Sequence, residues 1–400
     1  MNPMRILMIN IGCGTGSTGR ICTDLAQQLE AQGHEVKIAY TRDGLPQWAE
    51  KYAVRIGGDL DVLCHVASSR LLDNCGFASR RATAKFIKWA EDFDPDIIHL
   101  HNLHGYYIHV GLLFDYLKKA GKRVIWTLHD GWAYSGHSAL CDITDCDRWE
   151  TGCHHCPQKH IYPQTFLDRS RTNWLRKKEC FTGVEKLSLV TPSWWVAGQI
   201  QRSFLNVYPV TVIHNGINCS VFQPTDSDFR QKHQLEGKRI LLGIASPFLE
   251  MKGFSDYIKL AAKLDERFRI VLIGLTKKQI AGLPENVLGL ERTSSVQELI
   301  CAYSAADLFV NLTYCDSYPT VNLEASACGT PVITYQTGGS PESAILCAGV
   351  VEKGNVDAMA EAIRGYFDAG NFPGPLDEKE RLRLDNRNSI AAYMALYNIR

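Results

Sequence analysis

Two acidic residues, Asp316 and Glu324, stand eight positions apart in LFVNLTYCDSYPTVNLEASACGTPVITYQTGGSPE, residues 308–342. The apolar run Leu308 to Thr313 reads as a buried parallel strand. A polar turn, Tyr314 to Tyr318, follows it, and Pro319 sits where a helix can begin. The helix is expected to end near Cys328-Gly329, before a second strand, Pro331 to Tyr335. A loop at the carboxyl end of a parallel strand is where open α/β sheets hold ligands. Asp316 then lies at the mouth of that loop, and Glu324 about two turns into the helix. The unbonded amides of the helix's first turn, with its dipole, suit a phosphate.

Other groups could join them. The strand Arg239–Ala245 leads to Lys252-Gly253, and Arg123–His129 delivers His129 and Asp130 to its carboxyl end. The segment HNLHGYY, with His101, His104 and Tyr106, follows another strand. After the first strand, Gly14-x-Gly16-x-x-Gly19 fits the dinucleotide fingerprint. That fingerprint calls for an acid at the end of the second strand. Here the strand begins with Glu35 and ends in Tyr40-Thr41-Arg42, with Asp43 only after the arginine, so NAD is not expected. Four cysteines, Cys141, Cys146, Cys153 and Cys156, fall within sixteen residues. A Cys-x-x-Cys pair is a zinc geometry, and four thiolates close a structural tetrahedral site. His137, His154 or His155 could replace one thiolate, while two disulfides or four free thiols are the rival readings.

Elements that position these groups alternate strand and helix through both halves of the chain, which argues for two parallel-sheet domains. In the first half the clearest helices are 19–31, 78–92, 110–120 and 195–204, and a last helical stretch is expected over 378–397. With 400 residues, 45% hydrophobic, 22% charged and zero formal net charge, the chain has no global field favouring nucleic acid. Met1 to Asn10 reads as a strand rather than a signal peptide, and no apolar run reaches the ~20 residues of a membrane span. The fourteen cysteines are mostly scattered through core elements, which suits a cytoplasmic protein with reduced thiols.

An acid, seven intervening residues, then Glu324 followed by Ala-Ser-Ala-Cys-Gly-Thr-Pro-Val resembles the signature of glycosyltransferase family 4, retaining enzymes of GT-B fold. The family usually has glutamate where Asp316 stands. His214-Asn215-Gly216-Ile217-Asn218 matches the family's turn closing the first domain, with Asn218 in place of aspartate. Trp-Thr-Leu-His-Asp and the following Cys-rich segment resemble the branch building bacterial exopolysaccharides and O-antigens, colanic acid glycosyltransferases included. The family pairs Lys-Gly with an arginine five residues earlier; Pro247 stands in that place, so one diphosphate cation is missing.

The resemblance implies two Rossmann-like domains facing each other across a cleft. They would be 1–217 for the acceptor, with a Cys-rich insertion at 131–165, and 218–377 for the donor, with 378–400 returning to the first. It implies that Lys252 and the backbone of Ser317, Tyr318, Thr320 and Val321 hold a UDP- or GDP-sugar diphosphate. The turn at Gly14 and Gly16 would approach it as well. Glu324 would take the ribose, Asp316 the transferred sugar and His129 the reacting centre, with Asp130, His101 and Tyr106 on the acceptor side. No metal is required for catalysis. The acceptor is expected to be a lipid-linked glycan at the cytoplasmic face of the inner membrane. Two basic stretches, Arg70–Lys88 and Arg169–Lys178, are candidate membrane contacts. The alternatives are a nucleotide-sugar epimerase of GT-B fold and a non-catalytic nucleotide-sugar binder.

Overall fold

The computed structural model describes residues 3–42, 44–370, 372–374 and 376–398. Its contacts divide it into one unit running to Ile213 and resuming at Ile390, and a second from His214 to Ser389.

In the first unit the order is β1 (Arg5–Ile9), α1 (Gly16–Ala31), β2 (Glu35–Tyr40), β3 (Ala53–Arg55), α2 (Asp59–Leu72), α3 (Arg80–Phe93), β4 (Ile97–Leu100), α4 (Val110–Ala120), β5 (Arg123–Thr127), α5 (Ser170–Phe181), β6 (Leu187–Thr191), α6 (Trp194–Arg202) and β7 (Val210–Val212). Among the described residues these strands form one seven-stranded sheet, ordered β3-β2-β1-β4-β5-β6-β7. Every pairing is parallel. Helices cover both faces, so β1 is apolar after Arg5: Leu7 and Ile9 enter one core with Trp126, and Ile6 and Met8 the other with Ile125. The first helix begins three residues earlier than its pattern suggests, at Gly16. Helix α2 was not legible as an amphipathic element, because Leu60, Leu63, Leu71 and Leu72 face solvent.

The second unit runs α7 (Phe229–Lys232), β8 (Arg239–Ile244), α8 (Phe254–Ala261), β9 (Phe268–Ile273), α9 (Lys277–Ile280), β10 (Val287–Leu290), α10 (Val296–Ala305), β11 (Leu308–Asn311), α11 (Thr320–Ala327), β12 (Val332–Tyr335), α12 (Ser340–Ser343), β13 (Cys347–Val351), α13 (Val356–Ala369) and α14 (Glu378–Leu384). Its described strands make a six-stranded parallel sheet, β10-β9-β8-β11-β12-β13. The expected helix over 378–397 is two helices, α14 and α15 (Asn386–Leu396). Asp385 separates them because it leaves helical geometry to bridge Ile217: the Ile217 amide donates to Leu384 O at 2.8 Å, and the Asn386 amide to Ile217 O at 2.8 Å.

Past Ile390, α15 supplies Tyr393 and Tyr397 to the first unit's core beside Ile6 and Ile125. The Tyr397 hydroxyl bonds His99 Nδ1, and Tyr393 reaches Thr127 Oγ1 at 3.1 Å. Both partners lie on central strands. Tyr397→Ala should therefore cost about 3 kcal/mol or more, from the lost aromatic volume and a buried imidazole nitrogen left unbonded. Urea unfolding checks this; Tyr397→Phe should lose only about 1–2 kcal/mol.

Candidate active site

Strand order in the second sheet reverses between β8 and β11, the place where a crevice opens at the carboxyl edge. Both loops there carry charge. Lys252 follows β8 and Asp316 follows β11, and Lys252 Nζ donates to Asp316 Oδ2 at 2.7 Å. Burial works against the ammonium, but the adjacent carboxylate outweighs it and holds the Lys252 pKa above its usual value. Asp316 Oδ1 also accepts the Tyr318 amide at 3.3 Å. Two glycines let the chains press together. A Cβ on Gly253, at φ +80, would stand 2.3 Å from Leu312 O, and one on Gly338, at φ +54, 1.9 Å from Asp316 O.

Helix α11 opens at Thr320 behind Pro319, with no side-chain cap. Thr320, Val321 and Ser317 are half-buried at this entrance. The Tyr318 ring is buried among Ile217, Leu323 and Leu384 and stacks on His214 at 4.9 Å. Only its backbone lies with the donor group. Glu324 accepts from the Tyr303 hydroxyl at 2.9 Å. Sequence reasoning missed what sets the helix in place. Asn311 Nδ2 donates to Asn322 Oδ1 at 2.8 Å, and Asn322 Nδ2 donates to Ser340 O at 3.1 Å and Ser343 Oγ at 2.9 Å. This buried network joins β11, α11 and α12, and a polar residue inside an apolar strand, Asn311, was its one visible sign.

In the first unit His101 and His129 meet: His101 Nδ1 and His129 Nε2 are 3.0 Å apart, with the rings nearly coplanar at 12°. His99 stacks behind His101 at 4.0 Å between ring centroids. Burial pushes His129 down to about 4 and His99 to about 3, and lowers His101 well below the usual imidazole range. All three are neutral at pH 7. His101 Nε2 is buried without a hydrogen-bond partner, which suits a bare lone pair better than an N–H. One of the two nitrogens donates to the other, so each imidazole constrains its neighbour's tautomer. Asp130 holds His104: Oδ2 accepts from His104 Nε2 at 2.7 Å and Oδ1 from the Trp132 amide at 3.0 Å. Burial opposes its charge, but His104 and the Trp132 amide keep its pKa below the usual carboxylate value. His101, His104, His129 and Asp130 line one small cavity of about 190 Å³.

Tyr106 lines a separate pocket of about 720 Å³ with Ile11, Arg42, Arg55 and Tyr162. Gly14 and Gly16 take positive φ, +71 and +68, in the turn before α1. The next strand, β2, ends at Tyr40, and Asp43, the acid considered for a ribose, lies outside the described residues. Cys141, Cys146, Cys153 and Cys156 line one cavity, and all four are free thiols in this structure. Among the described residues, no three His, Cys, Asp or Glu side chains already stand together at metal-ligand spacing. The basic stretch Arg169–Lys178 is not a charged surface throughout. Lys177 is buried and donates to Trp132 O at 2.6 Å and Ser135 O at 3.0 Å, and Arg176 lies over the Phe77 ring.

The glycosyltransferase family 4 model matches residues 18–221. The chain belongs to glycosyltransferase family 4. Residues 225–383 of this family-4 chain match the model for glycosyl transferases group 1. WcaC of Escherichia coli (strain K12), assigned to colanic acid biosynthesis as a glycosyl transferase, is 23% identical over 352 residues, 85% of each chain. A sucrose-phosphate synthase from Thermosynechococcus elongatus superposes with a TM-score of 0.70 at 16% identity, covering 99% of this chain and 98% of that one. Alr3699/HepE from Anabaena superposes in its UDP complex (TM-score 0.69, 16% identity, 99% and 100% covered) and in its UDP-glucose complex (TM-score 0.66, 16% identity, 98% and 100% covered). The fold of this glycosyltransferase is GT-B: two parallel-sheet α/β units.

The neutral histidines of the glycosyltransferase give it a pH signature. His129 and His65 have folded pKa values lowered from 6.5 to about 4, so between those values the unfolded chain binds more protons. Stability should be constant above about pH 6.5 and fall progressively as pH drops toward 4. Melting temperatures across pH 7.5 to 4.5 measure this, and His129→Gln, with one group fewer to protonate, should fall less steeply.

Proposed function

We propose that this glycosyltransferase moves a sugar from a nucleoside-diphosphate donor, a UDP-sugar before a GDP-sugar, to a lipid-linked glycan during bacterial surface-polysaccharide synthesis. The acceptor would be an exopolysaccharide, capsule or O-antigen precursor. The observation that carries this reading is the Lys252–Asp316 pair, 2.7 Å apart at the crevice of the second sheet, beside the uncapped start of α11. A donor diphosphate would take the Lys252 ammonium and the α11 amides. These stabilise the charge that builds on the leaving phosphate, and preorganised donors of this kind are usually the largest catalytic term. Glu324, braced by Tyr303, would hold the ribose hydroxyls. Asp316 would face the transferred sugar, and neutral His129 would meet the reacting centre. Retention of configuration follows the family, by a route in which the leaving phosphate helps take the acceptor proton.

Two features of the first unit support a lipid-linked acceptor. The pocket at Tyr106 is flanked by Arg42 and Arg55, cations suited to an acceptor phosphate. Beside it, α2 turns a stripe of Leu60, Leu63 and Leu71 to solvent, 77%, 64% and 57% exposed. The loop bearing exposed Phe166 and Leu167 is tied to that helix by the Phe166 amide, which donates to Arg70 O at 2.8 Å. Exposed apolar side chains mixed with Arg70 and Arg171 suit an anionic membrane surface. Pro247 favours a second reading, a binder without turnover, because the loop of Lys252 lacks an arginine.

Thermal shifts with UDP, GDP, TDP and CMP test the donor site. One nucleotide should stabilise the wild type, by about 2.7 kcal/mol at a hundred times its Kd, and Glu324→Ala should abolish the shift. A folded protein that answers to none of them has no donor site of this kind. Transfer of labelled sugar to glycolipid in anionic vesicles tests the rest. The product should keep the donor's anomeric configuration, and Leu60→Ser/Leu63→Ser should lower transfer about tenfold with the nucleotide shift intact. A nucleotide shift without transfer to any acceptor would establish the binder.

A further inference from the structure

The segment between β5 and α5, residues 131–169, holds two short 310 turns, Gly131–Ala133 and Cys141–Thr144, and otherwise no helix or strand. So long an irregular stretch has little core of its own, and small units of this kind are commonly closed by a staple. Its four cysteines line one enclosed cavity of about 300 Å³, and all four are reduced. Three of them directly follow a residue of positive φ: Asp145 (φ 49) precedes Cys146, Gly152 (φ 142) precedes Cys153, and His155 (φ 45) precedes Cys156. These kinks turn three separate points of the chain toward one space. The Gly136 amide donates to Cys153 Sγ at 3.1 Å.

A second observation comes from outside the cysteines. His137 also lines this cavity and is 2% exposed. Its Nδ1 bonds Asp73 Oδ1 at 2.7 Å, and its Nε2 is buried with no hydrogen-bond partner. A carboxylate on one ring nitrogen and an unmet second nitrogen is the arrangement of a metal-binding histidine. Buried polar atoms are rarely left unbonded.

We propose that this insertion is a four-coordinate structural zinc site built on Cys141, Cys146, Cys153 and Cys156, with His137 Nε2 able to take the place of one thiolate. The side chains do not stand at ligand spacing, so binding requires the thiols to re-orient within the cavity toward the ~2.3 Å Zn–S distance. Each coordinating thiol gives its proton to solvent as the Zn–S bond forms, so binding strengthens with pH. The metal belongs to the first unit and the donor groups to the second, and its role is structural. Its effect on the reaction is mechanical: the same segment carries Trp132 and Ser135, whose carbonyls anchor Lys177, and Trp132 supports Asp130.

The test is metal content. Full-length protein purified without chelators or metal-affinity resin should carry about one zinc per chain by plasma mass spectrometry. Cys153→Ser/Cys156→Ser should lower that about tenfold or more. Cobalt exchanged into the wild type should show intense thiolate-to-cobalt charge transfer, and a spectral change in His137→Gln would assign the nitrogen. That wild-type spectrum still decides the matter if the cysteine variant fails to fold. The site is overturned by wild-type protein that holds no metal after incubation with zinc, by zinc content unchanged in the cysteine variant, or by the four cysteines emerging as disulfides. None of these outcomes bears on nucleotide binding, so the zinc site and the donor site stand or fall separately.

Discussion

A sheet whose strands all run one way has a single carboxyl edge, and where its strand order reverses the crossover helices part and leave a crevice. The rest of this molecule depends on that constraint. It places Lys252 against Asp316 although 64 positions separate them in the chain. It also places the Gly14 turn after β1 and the histidines after β4 and β5 along the corresponding edge of the first sheet. The candidate groups of each unit come from several loops because the edge of its sheet, not any one loop, gathers them.

The two units prepare their groups in opposite electrostatic ways. In the second unit a cation is kept charged by a carboxylate at 2.7 Å, with both side chains still partly open to water. Such a pair adds little to stability, about 0–1 kcal/mol. Its value lies in holding an ammonium in a fixed place that an arriving anion can share. In the first unit burial excludes charge: His99, His101 and His129 form a neutral column. A neutral imidazole with a defined tautomer is a directed hydrogen-bond donor, whereas a charged one would cost several kcal/mol to desolvate.

Distant segments brace both arrangements. Tyr397 and Tyr393, from the end of the chain, complete the polar partners of His99 and Thr127 under the histidine column. Lys177 threads from α5 to the carbonyls of Trp132 and Ser135, and it lies 3.7 Å over the Trp132 ring. Burial pulls its pKa down to about 8, so it serves as a partly desolvated strut. In the second unit the Asn311–Asn322–Ser340 network does the same for α11, since every member's hydrogen bonds are met only in one helix position.

By itself the sequence determined the strand–helix alternation, the parallel sheets, the family, and the loop on which Asp316 and Lys252 each lie. Apolar runs, glycines and the residues around Glu324 are local signals, set by backbone sterics and by burial on both faces of a sheet. Only the tertiary structure decided the partners. The 2.7 Å bridge of Lys252 to Asp316, the tautomer-setting contact of His101 with His129, and the capture of His104 by Asp130 all join residues distant in sequence. Periodicity likewise gave no sign of α2, whose leucines face outward, or of the inward turn of the Tyr318 ring. Which face of an element is covered depends on what the rest of the chain packs against it. Local pattern carries the elements; the pairings across loops are properties of the packed whole.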